Sequence, residues 1–570
     1  MKKTDFIIVA VLIAMMFAWM NFYPVIEKKY FPKPAQPEKQ AAPVATEKPA
    51  NLAPVEKAAA IVETVAAKVP ETVLPSVPEQ RLTLANDNIE LTVSSYGGAV
   101  VSAVFKKYPE ENRKASGPMM LDFESAPALR YAGLPVPAGT IEKTADGLLY
   151  VASLGDGRLF KRAFKLEGGY LLNVEDSFVN ATAAPWALPA LRLPTGPMKE
   201  AKGTTAMAGV VTLGVDSFAP VDGVRHWGKD LYKLFKQVPA EAQQFTSTPA
   251  MIPPAPVNWI AAKNKFFVQI LTPEAAANAF DLSVRRAGEG KKNVPVEVSA
   301  ALQFDSEVIA GSESLTRKAR VYIGPKDYSL LKAQGMDQVE IMEFRSMGFW
   351  KFMNPVMYPI KISLLWGLNA LEKVVRNYGV AIMLLTVIVR IIFWPLTHKG
   401  TESMRKMQAL QPQLKEIREK FKDNPQRMQQ ETMAFYKTNK VNPMGGCLPM
   451  LLQIPVFIAL FVVLRSAVEL RFSKFLWVRD LSEPENLFAG MIPVIGSLNI
   501  LPILMAVTMV WQQKLTPSAG DPQQQKMMAI MMPIMMLFFF YTMPSGLVLY
   551  WTISQVIAII QMLIKKPTPA

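Results

Sequence analysis

Cysteine and histidine are nearly absent from this chain of 570 residues, which holds one Cys, Cys447, and two His, His226 and His398. A single thiol excludes an intrachain disulfide, so any domain outside the cytoplasm must stand on its own core. So few nitrogen and sulfur donors also exclude a zinc centre of the ordinary kind. Neither histidine falls in an HExxH or triad-like pattern, and no glycines show the GxxxxGK[ST] spacing that cradles phosphate. His226-Trp227 could line a sugar pocket or form a partly buried structural pair. Charge is scarce as well, at 19% of residues, while 50% are hydrophobic and the mean hydropathy is +0.17. That balance excludes one soluble domain and indicates a membrane protein with a large aqueous part. No catalytic residue, metal ligand or cofactor is expected. The net charge of +15 calls for an anionic partner. Because the basic residues flank apolar runs, anionic lipid is expected rather than a specific nucleic acid.

What is there is organised in blocks. Residues 1–23, MKKTD followed by FIIVAVLIAMMFAWMNFY, read as an uncleaved transmembrane anchor with its N-terminus inside, since no A-x-A site follows. A cleaved signal is the alternative. Residues 24–80 are rich in Pro, Ala, Lys and Glu, too poor in large apolar side chains for a core, and form a periplasmic tether. From 81 to 338 short alternating runs such as NIELTVSSYGGAVVSAVF and VPVEVSAALQF, broken by turn residues, predict an antiparallel β-sandwich. Residues 339–377, with Trp350, Tyr358 and Trp366 among lysines and leucines, predict an interfacial amphipathic helix.

Residues 378–565 then form a polytopic α-helical core, with spans expected at 378–396, 448–465, 498–513, 527–542 and 546–563. Several fall short of the ~20 residues that an ordinary bilayer requires, which implies a locally thin membrane or segments buried in protein. Between the first two, residues 399–442 read as a cytoplasmic helical hairpin: Met407, Leu410, Leu414, Ile417 and Phe421 follow at steps of three and four. Asp423-Asn424-Pro425 breaks the chain and caps a second helix. Its basic residues, among them Arg405, Lys406, Lys415, Arg418 and Arg427, place it inside. The count is six spans, both termini cytoplasmic, the large domain periplasmic, and a short cytoplasmic tail at 566–570.

Within the run LLTVIVRIIFWPL stands Arg390. A cation at mid-membrane costs ~2.5–3.5 kcal/mol on insertion scales, so it must face protein or water, or snorkel to the inner head groups. Reading the later spans for a counterion gives Asp521 alone, in a cytoplasmic link, so a wet cavity open to the cytoplasm is expected. Thr386 lies one turn earlier, and Gln453, Gln512, Gln513 and Gln555 could line the hollow or hydrogen-bond helix to helix. Arg465 and Glu469, four residues apart, are expected to pair in the outer interface. The run KMMAIMMPIMMLFFFYTM offers flexible methionines that suit varied apolar partners or simply lipid, and Pro449, Pro455 and Pro533 would bend their helices.

The stretches VIVRIIFWPLT, YKTNKVNPMGGCLPMLLQIPVFIALF, VELRFSKFLWVRDLS and MPSGLVLYWTISQVIAIIQ together resemble the bacterial YidC membrane protein insertases of the Oxa superfamily, in the Gram-negative form with a large periplasmic domain. The resemblance implies a non-enzymatic insertase and chaperone of the cell inner membrane. It takes nascent membrane protein segments into a cytoplasm-open groove and releases them sideways, alone or with the Sec translocon. Arg390, Thr386, Gln453, Gln513 and Trp551 fall at positions of the family's groove, and Met450, Ile454, Phe457, Met531 and Met535 at those of its hydrophobic slide. The hairpin and tail are similar to segments that meet substrate, the ribosome and the signal recognition particle receptor. Two other classes remain on the residues alone: a small-solute transporter, which calls for paired intramembrane ligands or broken repeats, and an anchored periplasmic sensor.

Overall fold

The computed structural model describes residues 78–564 except 114–115, 136–137, 206–210, 229, 232–243, 248, 250, 287–294, 346–347, 440, 442–447, 493–495 and 517–521. Side chains at 348–350, 396, 399, 401, 448–452, 490–492, 496, 522–526 and 528 are also outside the description. The expected anchor, nearly all of the tether, and the tail lie outside the described residues, and everything described belongs to one unit, Leu74–Ala570.

The β-rich part is built from antiparallel sheets. A nine-stranded sheet runs in the order Gly223–His226, Gly214–Ala219, Trp259–Lys263, Phe267–Pro273, Ser314–Pro325, Leu171–Asn180, Arg158–Leu166, Leu148–Gly155, Thr140–Lys143. Two four-stranded sheets accompany it: Arg81–Ala85, Ile89–Ser94, Ala99–Pro109, Pro118–Asp122, and Leu191–Pro194, Pro295–Phe304, Ala279–Arg286, Gln244–Thr246. Strands such as Arg158–Leu166 alternate buried and exposed positions, as period-two patterning demands. Trp259–Lys263 and Phe267–Pro273 are buried throughout: Phe267 packs on Phe105 of a neighbouring sheet, and the turn segment 336–343 lies against Trp259, Lys263 and Thr272. Phe105 stacks on Phe267 at 4.8 Å between ring centres, and Trp227 meets Phe280 edge-on at 5.6 Å. At Gly98 φ is +57°, and a Cβ there would meet the Tyr150 ring at 2.5 Å, so the close sheet approach requires glycine.

Helices follow from residue 328. They are α1 Tyr328–Gln334, α2 Asn354–Val375, α3 Tyr378–Ala409, α4 Gln411–Lys420, α5 Pro425–Thr438, α6 Leu448–Ser466, α7 Ile500–Leu515, α8 Pro522–Phe540 and α9 Ser545–Ile564. Amphipathic α2 buries Leu364, Leu365 and Leu368, and buries Lys361 with its Nζ donating to the Phe344 carbonyl at 2.6 Å. Asn377 caps α3 by accepting from the Val380 amide at 3.1 Å, and Asn424 caps α5 by accepting from the Arg427 amide at 3.0 Å, with Pro425 at its first position.

The end of α3 departs from the sequence reading, whereas α6 ends where the expected 448–465 span does. Helix α3 continues through Pro395 to Ala409, so the first arm of the hairpin begins as an extension of the span and breaks at Leu410, just before Gln411-Pro412. Proline fits the first turn of α4, where its missing N–H leaves nothing unbonded. Helix α6 stops at Ser466, and Val468–Leu470 form a 3-10 turn after Ala467 turns extended at ψ 114°. Tyr378–Pro395 and Ser545–Ile564 are long and apolar enough to cross a membrane, whereas Gln453–Ser466, Ile500–Leu515 and Ala529–Phe540 are shorter apolar helices.

Candidate functional site

Helices α3, α6 and α9 converge, and each brings one polar side to the contact. On α3, Val387, Ile388, Ile391 and Ile392 are exposed, whereas Ala381, Ile382, Leu385 and Thr386 are buried and Arg390 continues that inward side, part-buried. The Arg390 Nε donates to Ser554 Oγ on α9 at 2.8 Å. Gln453 on α6 donates from Nε2 to the same Ser554 Oγ at 3.1 Å and to the Tyr550 hydroxyl at 2.9 Å. Tyr550 and Ser554 are one turn apart on α9 and both buried. Among the described residues Arg390 makes no ion pair with a carboxylate.

One turn outward along α6 the site becomes aromatic. Phe457 lies 5.1 Å from Trp551 and 5.6 Å from Phe540, with Phe540 and Trp551 5.4 Å apart. Behind Trp551, Gln555 accepts from the Trp551 indole at 2.8 Å and donates to the Met505 carbonyl at 3.0 Å and Thr508 Oγ1 at 2.6 Å, tying α9 to α7. Facing outward, Ile454 and Ile458 on α6 and Ile530, Ile534 and Phe538 on α8 form exposed apolar stripes.

The expected residues therefore divide. Arg390 and Gln453 are brought together through Ser554, and Trp551 and Phe457 form the aromatic level. Thr386 is fully buried and its hydroxyl donates to the Ile382 carbonyl of its own helix at 2.6 Å, which leaves it no free donor for a groove. Gln513 on α7 has an enclosed Oε1 with no partner among the described residues. Ile454 is exposed, Met531 and Met535 are part-buried beside the more exposed isoleucines, and the Met450 side chain is outside the described residues.

Two residues at this site were missed in the sequence, Tyr550 and Ser554, although their four-residue spacing in YWTISQ puts them on one helical face. The Arg465–Glu469 pair does not form. Glu469 Oε1 instead accepts a long hydrogen bond from Asn369 Nδ2 at 3.5 Å, and its enclosed Oε2 has no partner among the described residues. An i, i+4 ion pair requires unbroken helix, and the chain leaves helix between the two. His226 is half of a structural pair, its Nδ1 2.9 Å from Asp216 Oδ1, while the Trp227 indole donates to Ser217 Oγ at 2.9 Å.

A guanidinium held by one hydroxyl keeps most of its five donors for an anion. Reduced dielectric strengthens that attraction relative to bulk water. The arrangement can therefore bind a carboxylate reversibly while apolar stripes on α6 and α8 accept an apolar segment.

Residues 81–340 match the family described as YidC periplasmic domain, and residues 370–568 match the family described as 60Kd inner membrane protein. A relative from Syntrophus aciditrophicus (strain SB), named Membrane protein insertase YidC, is 33% identical over 550 residues, covering 93% of this chain and 93% of the relative. Another of that name, from Syntrophobacter fumaroxidans (strain DSM 10017 / MPOB), is 44% identical over 308 residues, 54% of this chain and about half, 53%, of the relative's length. A solved structure described as "Active YidC insertase crystal structure with the first transmembrane domain resolved" is 20% identical, covers 86% of this chain and 92% of its own, and superposes with a TM-score of 0.34.

Proposed function

The chain belongs to the YidC family of membrane protein insertases, and we propose that its α3–α6–α9 cluster is a groove in which Arg390 draws in the acidic tail of a nascent membrane protein. The observation that carries this reading is a part-buried guanidinium whose described partner is a hydroxyl, with no carboxylate beside it. The apolar segment of the substrate moves along Ile454, Phe457, Met531, Met535 and their exposed neighbours, with Met450 on the same helix, and passes sideways into lipid. Burial of its apolar surface, worth about 25 cal/mol per Å², drives the step without nucleotide hydrolysis. Gln453, Trp551 and Gln513 complete the wall, Gln453 by orienting Ser554, and Thr386 packs behind it.

In this reading the protein has six spans with both termini in the cytoplasm of the cell, the β-sandwich is periplasmic, and the core lies in the inner membrane, where it works alone or beside the Sec translocon. The basic α4–α5 hairpin meets anionic lipid and, with the tail, the ribosome and the signal recognition particle receptor. The test is insertion of an acidic-tailed substrate into vesicles reconstituted with Arg390→Lys and Arg390→Glu. The account expects Lys to keep most activity and Glu to lose about ten-fold or more, one decade for each 1.4 kcal/mol of lost attraction. Equal insertion by the Glu variant removes the arginine from the mechanism.

A further inference from the structure

We propose that Arg465 is a second, outer anion station, which receives a substrate tail's carboxylate after it leaves Arg390. The inference rests on the groove reading above and gives the tail a route. Gln453, Phe457, Phe461 and Arg465 follow one another along α6 in four-residue steps. At 1.5 Å per residue, Gln453 and Arg465 are about 18 Å apart along the axis. Gln453 shares Ser554 with Arg390 and so marks the inner level. The rings of Phe457, Phe540 and Trp551 stand between the two levels, and Arg465 lies over Phe461 at 5.4 Å.

Among the described residues, Arg465 makes no ion pair or hydrogen bond, although it is part-buried. Its neighbouring carboxylates are engaged elsewhere. Glu483 holds Lys265 and accepts the Thr205 amide at 2.9 Å, and Glu343 accepts from Lys263 at 2.8 Å. Glu469 turns away to Asn369. A cation sequestered without an anion is costly to the resting fold, which suits a site filled during the working cycle.

Arg465 lines a crevice with Thr205, Lys265, Ser482, Glu483, Thr542 and Pro544, in which Lys265 answers the Glu483 carboxylate and the link between α8 and α9 forms one wall. The crevice holds about 10 Å³, room for roughly one water, so an arriving anion must part the wall. A carboxylate on an extended chain asks for less widening than a phospholipid phosphate with its glycerol, which favours the tail as occupant. An extended chain advances about 3.4 Å per residue, so acidic residues five or six apart span both arginines.

The test uses the full chain in vesicles and a substrate whose tail carries two aspartates six residues apart. Capture is read by photocrosslinking beside position 390, and tail arrival by protease protection. Arg465→Gln is expected to leave capture unchanged and slow tail arrival about ten-fold, Arg465→Lys to restore it, and a tail with Asn in place of Asp to be indifferent. Three results overturn the proposal: unchanged arrival in Arg465→Gln, equal slowing of acidic and neutral tails, or loss of co-purified anionic phospholipid with arrival intact. A thermal melt matching the parent's establishes that each variant is folded. Capture insensitive to Arg390→Glu defeats the groove reading instead, so the two failures are separable.

Discussion

Two cations of the β-rich domain, Arg162 and Lys263, and two of the helical core, Arg390 and Arg465, are held in opposite ways. In the domain, Arg162 is fully enclosed and fully answered: Asp176 takes Nε at 2.5 Å and Nη2 at 2.8 Å, the Gly98 carbonyl takes Nη1 at 2.9 Å, and Tyr131 and Phe160 rings lie 5.1 and 5.2 Å away. Lys263 likewise sits between Asp216 at 2.6 Å and Glu343 at 2.8 Å. In the core, Arg390 has a serine hydroxyl and Arg465 an aromatic ring. A cation whose hydrogen bonds are filled inside the fold serves the fold. In the proposed reading, one left short of an anion is available to something that arrives.

That contrast can be broken by mutation. The largest effect is expected for Asp176→Ala, which strands Arg162 without its carboxylate and should destabilise the domain by about 3–5 kcal/mol in denaturant melts. A loss under 1 kcal/mol would mean that the domain's pairing is as dispensable as the core's.

Next is Glu469→Gln. Burial, helped by the field of Asp327, pushes the Glu469 carboxyl up to about 7 from the ordinary 4.5. A folded value above the unfolded one means that the native state holds the proton longer, so stability falls as pH rises from 4.5 through 7. The penalty is fully present above 7 and amounts to at most about 3 kcal/mol, at 1.36 kcal/mol per unit. Glu469→Gln should therefore melt higher than the parent at pH 8 and alike at pH 4, by calorimetry at both. A parent whose melting point is flat across that window sinks the assignment. The smallest effect is expected for Arg390→Met, which removes a cation that makes no ion pair and should shift stability by about 1 kcal/mol or less, the worth of the bond to Ser554.

Much of this was legible in the chain. Asn424-Pro425 announced its cap because side-chain and ring chemistry act locally, and Arg390 announced itself because a lone charge in an apolar run has few explanations. What escaped depended on tertiary context. Tyr550 and Ser554 look ordinary in an apolar helix until α6 and α3 bring Gln453 and Arg390 to them. Thr386 looked like a groove residue from its spacing, but its hydroxyl is spent on its own backbone. The Arg465–Glu469 spacing promised a pair only on the assumption of continuous helix, and the 3-10 turn at Val468–Leu470 removes it. Strand alternation faded at Phe267–Pro273 because both faces are covered, which no local pattern reveals.

The most direct test replaces Arg390 with cysteine in a Cys447→Ser background and asks whether a charged, membrane-impermeant thiol reagent reaches it in vesicles of known orientation. The account predicts rapid modification from the cytoplasmic side and protection when an acidic-tailed substrate is engaged. A thiol that reacts from neither side, while a cysteine placed in the α4–α5 hairpin reacts freely, would show a dry, sealed position and contradict it.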